Sequence, residues 1–128
     1  MTSGKGPSWR WMVLAACILA LAWGIYDVTQ YRRSIRVEHF AQCLKAKGAK
    51  MYGAWWCPHC ADQKQEFGRG FEYLNYVECS LPAVRIITEQ CKQAGIKRFP
   101  TWEFADGSRH EGVLRFEELS QRTGCRWP

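Results

Sequence analysis

Between Arg10 and Asp27 the chain carries sixteen residues without a charge, from Trp11 to Tyr26 (WMVLAACILALAWGIY), and this run decides how much of the sequence is left to fold in water. As a helix it spans about 24 Å, slightly short of a hydrocarbon core of about 30 Å. Arg10, Arg32 and Arg33 flank it and can reach the headgroups, while Trp9, Trp11, Trp23, Tyr26 and Tyr31 suit the two interfaces. A transmembrane anchor over residues 11–30 is the favoured reading. The alternative is a cleaved signal peptide, with Lys5 and Arg10 as its basic start, Met12 to Leu19 as its apolar centre and Ala20-Leu21-Ala22 as its cleavage site. The apolar run continues past that site to Tyr26, which favours the anchor; a soluble-core helix is the third option. Residues 1–10 then form a tail, 31–36 a basic linker, and 37–128 one small domain.

Seven cysteines stand at Cys17, Cys43, Cys57, Cys60, Cys79, Cys91 and Cys125. Cys17 falls in the apolar run, where a thiol behaves as a small hydrophobe. Six remain for a domain small enough to benefit from cross-links, and an even number of thiols there suits an oxidising compartment. The formal net charge of +6 raises nucleic acid as a partner. Arg32, Arg33 and Arg36 flank the apolar run, however, and Lys45, Lys47 and Lys50 are spread along a predicted helix and its exit. No basic stripe alternates with exposed aromatics, which argues against nucleic-acid binding.

The pattern of apolar residues predicts the elements of the domain. Val37, Phe40, Ala41 and Leu44 recur at helical spacing up to Gly48, and Lys50 to Ala54 reads as a short buried strand. A helix follows from Pro58 to about Phe67, with Gly68 and Gly70 as its stop. Tyr73 to Cys79 alternates like a strand. Pro82 is expected to open a helix that turns Val84, Ile87 and Cys91 towards the core and ends at Gly95. Thr101 to Ala105 and Arg109 to Val113 are strands joined by Asp106-Gly107, a strong hairpin signal, and a last helix starts at Arg115 with Phe116 and Leu119 inward.

Cys57-Pro58-His59-Cys60 sits where a strand gives way to a helix. A sulfur at a helix N-terminus meets unpaired amides and the positive end of the dipole, which favour its thiolate. Cys57 is therefore the expected nucleophile, and Cys60, one turn further in, the thiol that closes or opens a disulfide with it. Pro58 fills the first helical position without losing a needed donor. An imidazole at His59 can further favour the Cys57 thiolate, which makes the disulfide more oxidising. A zinc site is the competing reading, with Cys79, Cys91, His39 or His110 as further donors, but no second CxxC or H-x3-5-H is present.

From about Val37 to Gly124 the chain resembles the thioredoxin-like superfamily. It is most similar to the thioredoxin-like domain fused to bacterial and plant homologues of vitamin K epoxide reductase. The likeness is carried by the stretch Gly48-Ala49-Lys50-Met51-Tyr52-Gly53-Ala54-Trp55-Trp56-Cys57-Pro58-His59-Cys60, by Gln63-Lys64 and Phe67-Gly68, and by Ala94-Gly95-Ile96 with Phe99-Pro100-Thr101-Trp102. It implies an α/β, thioredoxin-like fold, a central mixed sheet flanked by helices, preceded here by the N-terminal transmembrane helix. It further implies a cis bond before Pro100, with Pro100 shaping the substrate groove at the sulfurs, and a structural disulfide between Cys79 and Cys91. Cys43 and Cys125 are then left over, with no pairing fixed by the sequence. In thioredoxins a buried acid lies six residues before the first reactive cysteine; here that position is Met51, which puts reductase-type proton shuttling in doubt. One apolar segment does not supply the four-helix membrane domain of the epoxide reductase, so the resemblance implies a separate redox partner, such as a membrane protein of that kind.

The expected activity is thiol-disulfide exchange on protein cysteines, on the oxidising or isomerising side, with no cofactor. A copper- or zinc-binding chaperone that uses the CxxC pair, and a glutathione-linked exchange enzyme, are the alternatives. The charges flanking the apolar run place the domain in the cytoplasm by a margin of one residue. The cysteines place it in the periplasm or an equivalent lumen, because four thiols beyond the reactive pair make sense as disulfides only in an oxidising space. The cysteines weigh more, so the domain is expected outside the cytoplasm, anchored or, if the leader is cleaved, secreted.

Overall fold

The computed structural model describes residues 8–127; Lys5 and most of the expected tail lie outside the described residues. The chain divides into two compact units, Met1–Arg33 and Ser34–Pro128. A single helix, α1 (Trp9–Ala46), contributes to both. The basic segment 31–36, expected as a linker, is therefore helical. Tyr31-Arg32-Arg33-Ser34-Ile35-Arg36 contains neither glycine nor proline, and arginine is a good helix former.

In the first unit α1 is long and apolar enough to cross a membrane, and none of its apolar window is buried. Leu14, Ile18, Leu21 and Ile25 are all more than half exposed.

In the second unit α1 ends at Ala46 and the chain turns at Gly48, whose φ of +77° is the left-handed conformation glycine permits. The chain continues through β1 (Lys50–Gly53), α2 (Pro58–Phe67), a 3-10 turn over Gly68–Tyr73 and β2 (Asn75–Glu78). Then come α3 (Glu89–Gln93), β3 (Thr101–Glu103), β4 (Arg109–Glu111) and α4 (Phe116–Thr123). The sheet order is β2-β1-β3-β4, with β1 parallel to β2 and the other neighbours antiparallel. This mixed sheet flanked by helices is the thioredoxin-like α/β arrangement expected from the sequence.

The register sets Met51 beside both Tyr76 and Trp102, so these three share one face of the sheet. Val37, Phe40, Ala41 and Leu44 of α1, Cys60 and Phe67 of α2, and Phe116 and Leu119 of α4 cover that face. Gln63 is fully buried among them without a loss of hydrogen bonds. Its Oε1 accepts from Leu114 N at 2.8 Å and Trp102 Nε1 at 3.3 Å, and its Nε2 donates to Leu114 O at 3.0 Å. One amide thus ties α2 to β3 and to the segment before α4. The opposite face, with Tyr52 and Val77, packs against Cys79, Cys91 and Ile96.

The helix expected from Pro82 is corrected. Residues 80–88 form a closed loop, with Leu81 N donating to Ile86 O at 3.1 Å and Thr88 N to Cys79 O at 2.8 Å, and helix begins only at Glu89. Val84 is exposed rather than turned to the core. Four of the five residues 84–88 are β-branched, a composition that disfavours helix, and Ala83 has a φ of +62°, which right-handed helix forbids. The Asp106-Gly107 hairpin is present: Gly107 N donates to Phe104 O and Phe104 N to Ser108 O, each at 2.9 Å.

Two disulfides close this unit, Cys43–Cys125 across 82 residues and Cys79–Cys91 across 12. In the loop-closure account these spans correspond to about 4.5 and about 3 kcal/mol of stabilisation. Replacing Cys43 and Cys125 together by Ser is therefore expected to lower the urea midpoint more than replacing Cys79 and Cys91. The reverse order in matched denaturation curves would contradict this ranking.

Candidate active site

β1 delivers the chain to Cys57 through the turn Ala54-Trp55-Trp56, which Cys57 N closes on Ala54 O at 3.0 Å. Cys57 then caps α2. Its backbone is extended, Pro58 holds the first helical position, and its sulfur accepts a hydrogen bond from Cys60 N at 3.2 Å. The cap is thus a thiol where helices ordinarily carry a serine or aspartate oxygen, and the amide that satisfies it also stabilises a thiolate. On its other side Cys57 Sγ donates to Phe99 O at 3.6 Å. Phe99-Pro100 is a cis peptide bond, and the Pro100 ring is fully buried.

The two thiols are free and unequal. Cys60 lies behind Cys57 and is 1% exposed, against 6% for Cys57. Burial, reinforced by the hydrogen bond with Cys57, pushes the Cys60 thiol up to about 12, against the opposing pull of the Ala54 backbone and the Lys64 charge. One sulfur stands at the helix mouth, and its neighbour holds its proton inside.

His59, expected to act on Cys57, is exposed, and its Nδ1 is 3.7 Å from Asp62 Oδ2. Met51 is fully buried in the core face. The two tryptophans before the motif are fixed by the loop at residues 80–88. Trp55 Nε1 donates to Leu81 O at 3.1 Å and Trp56 Nε1 to Ser80 Oγ at 2.8 Å, while the Arg85 guanidinium lies 5.6 Å from the Trp56 ring centre. Trp55, Glu78, Ser80, Pro82 and Ala83 line a pocket of about 350 Å³.

Sequence reasoning missed the groups that β2 brings to the buried thiol. Tyr76 Oη donates to Glu78 Oε2 at 2.8 Å, and Glu78 Oε1 accepts from Trp55 N and Ser80 N, each at 3.0 Å. Lys64 Nζ lies 4.1 Å from the Tyr76 ring centre. The alternation of Tyr73 to Cys79 puts Tyr76 and Glu78 on one face; only the pairing with β1 shows that this face meets Cys60. Of the further donors named for zinc, Cys79 and Cys91 are bonded to each other. Among the described residues no three His, Cys, Asp or Glu groups stand together to hold a metal ion.

No family model matches the chain. It is, however, similar to a curated protein of Arabidopsis thaliana, thiol-disulfide oxidoreductase LTO1. The two are 43% identical over an alignment of 88 residues that covers 66% of this chain and 23% of that protein. The chain thus spans about a quarter of its relative's length.

The unequal thiols predict unequal alkylation. A short iodoacetamide pulse at about pH 8 is expected to mark Cys57 and spare Cys60, because the thiolate is the nucleophile and Cys60 remains protonated far above that pH. Peptide mapping that found Cys60 labelled ahead of Cys57 would contradict the assignment.

Proposed function

We propose that this chain is a thiol-disulfide oxidoreductase acting on protein cysteines through Cys57 and Cys60. The observation that carries the reading is the capping sulfur: Cys57 Sγ takes a helix amide at 3.2 Å, with a second, protonated thiol buried directly behind it. In reduction of a substrate, the Cys57 thiolate attacks one sulfur of the substrate disulfide and the other leaves as a thiolate. Cys60 then attacks Cys57 Sγ, the mixed disulfide breaks, and the second substrate thiol departs. Oxidation of a substrate runs through the same steps in reverse. The likeness to a named thiol-disulfide oxidoreductase supports this reading.

The proposed direction is oxidising or isomerising. A sulfur that caps a helix and is held by an amide of its first turn is the geometry that stabilises a reduced pair and makes its disulfide the better oxidant. Pro58 sets the first turn, Pro100 and the Phe99 carbonyl form the wall where a substrate strand docks, and His59 tunes the mouth of the site. Electrons then pass to a separate redox partner, for which a membrane protein like vitamin K epoxide reductase is the proposed class. Cys57→Ser is expected to abolish insulin reduction and thiol oxidation alike; retained exchange would sink the reading. A reduction potential for the pair above about −200 mV supports the oxidising direction, and one near about −270 mV would reverse it.

The proposed setting is a domain, residues 37–128, tethered by the apolar segment 11–30 and facing an oxidising compartment; a cleaved leader and secretion is the alternative. The two disulfides support an oxidising space. After mild reduction of intact cells, a membrane-impermeant thiol reagent is expected to label Cys57. Labelling only after the membrane is breached would place the domain inside.

A further inference from the structure

The proposed chemistry needs a proton to leave Cys60 each time it attacks and to return each time it is expelled, yet the residue is 1% exposed. Bulk water is not the natural acceptor for so enclosed a thiol. Cys57 and Lys64 from α2 and Tyr76 from β2 interact with Cys60, and Glu78 from β2 is hydrogen-bonded to Tyr76. Cys57 is the reaction partner and Lys64 is a cation, which leaves the pair on β2.

Gly53 is what lets that pair come close. A Cβ at Gly53 would sit 2.8 Å from Tyr76 Cε2, 3.0 Å from Tyr76 Oη and 3.2 Å from Cys60 Sγ. The phenol oxygen and the thiol sulfur thus border the same small space, which no side chain at position 53 fills. The two atoms are therefore no more than about 6.2 Å apart, a gap that one bridging water can span. From Tyr76 Oη the hydrogen bond to Glu78 Oε2, 2.8 Å long, leads outward, and Glu78 is exposed. The other Glu78 oxygen is held by Trp55 N and Ser80 N, so the carboxylate is fixed in place as an acceptor.

We propose that Tyr76 and Glu78 form the proton relay of Cys60. The inference rests on the redox reading of the Cys57–Cys60 pair and adds the residues that move its proton. When Cys60 attacks the mixed disulfide, its S–H proton passes to Tyr76 Oη while the phenol proton passes to Glu78 Oε2. The freed electron pair on Cys60 Sγ forms the bond to Cys57 Sγ, and the bond from Cys57 to the substrate breaks, its electrons leaving on the substrate thiolate. Glu78 then releases its proton to water. In the opposite direction the substrate thiolate attacks Cys57, Cys60 is expelled, and the relay returns a proton to it. The phenol shuttles and never ends the step ionised, in keeping with burial and the Glu78 charge, which raise its own pKa.

The relay can be read separately from the nucleophile. In the full chain with Cys17→Ser, reduced protein mixed with dithiobis-nitrobenzoate should release coloured thiolate in two phases. The first comes from Cys57 attack and the second from Cys60 closing the disulfide. Tyr76→Phe keeps the ring over Gly53 and removes only the hydroxyl; Glu78→Gln keeps an oxygen for the Trp55 and Ser80 amides. Both variants are expected to retain the first phase and to slow the second about tenfold or more near pH 7, a modest effect for positioned acid–base groups. The deficit should shrink towards about pH 10, as hydroxide takes over the proton. A second phase slowed less than that, or slowed equally at every pH, would overturn the relay. If the parent itself lacked a first phase that Cys57→Ser removes, the redox reading would fall, and the relay with it.

Discussion

A helix must satisfy the amides of its first turn, and α2 does so with sulfur. Cys60 N donates to Cys57 Sγ, so the bond that starts the helix is also a bond to the proposed nucleophile. Geometry downstream depends on it. With Cys57 at the cap, Cys60 falls one turn inside, against the core face of the sheet, and Gln63 falls a further turn inside, where its amide is shared between Trp102 and Leu114. The helix that carries the thiols is thereby locked to β3 and to the segment leading into α4, and the sulfurs cannot drift from the Phe99-Pro100 wall without breaking buried hydrogen bonds.

Burial supplies the asymmetry on which the proposed exchange relies. Two identical side chains three residues apart differ because one caps a helix and the other is desolvated by Gly53, Tyr76 and the core beneath. The same enclosure that keeps Cys60 protonated makes a nearby acceptor useful, and Tyr76 reaches the sulfur because position 53 has no side chain. The loop at residues 80–88, stapled by Cys79–Cys91, supports the mouth of the site through Trp55 and Trp56. Structure and proposed chemistry meet in that loop, since Glu78 at its entrance holds both the Trp55 amide and the Tyr76 hydroxyl.

Where local chemistry alone decides the backbone, the sequence was readable. The strand-to-helix junction at Cys57, the stop at Gly48 and the hairpin at Asp106-Gly107 each rest on one or two residues whose conformational preferences are strong. Pro82 misled because proline marks a helix start only when the following residues accept helix; here Ala83 turns left-handed and a β-branched run follows. The boundary between the two units falls within the expected linker 31–36, which is helical rather than extended because nothing in it breaks a helix. Gln63, Tyr76 and Glu78 stayed hidden for a different reason. Their partners lie on other elements, at Leu114, Cys60 and Trp55, and no periodicity within a strand or helix names a partner across the sheet.

The central claim is that Cys57 bonds covalently to a substrate sulfur and Cys60 releases it. Mass spectrometry of the Cys60→Ser protein after exposure to two peptides joined by one disulfide tests this directly. The account predicts a stable adduct of one peptide half, mapped to Cys57 and removed by dithiothreitol, whereas the parent protein accumulates none. No adduct in the variant, or an adduct mapped to another cysteine, would contradict it.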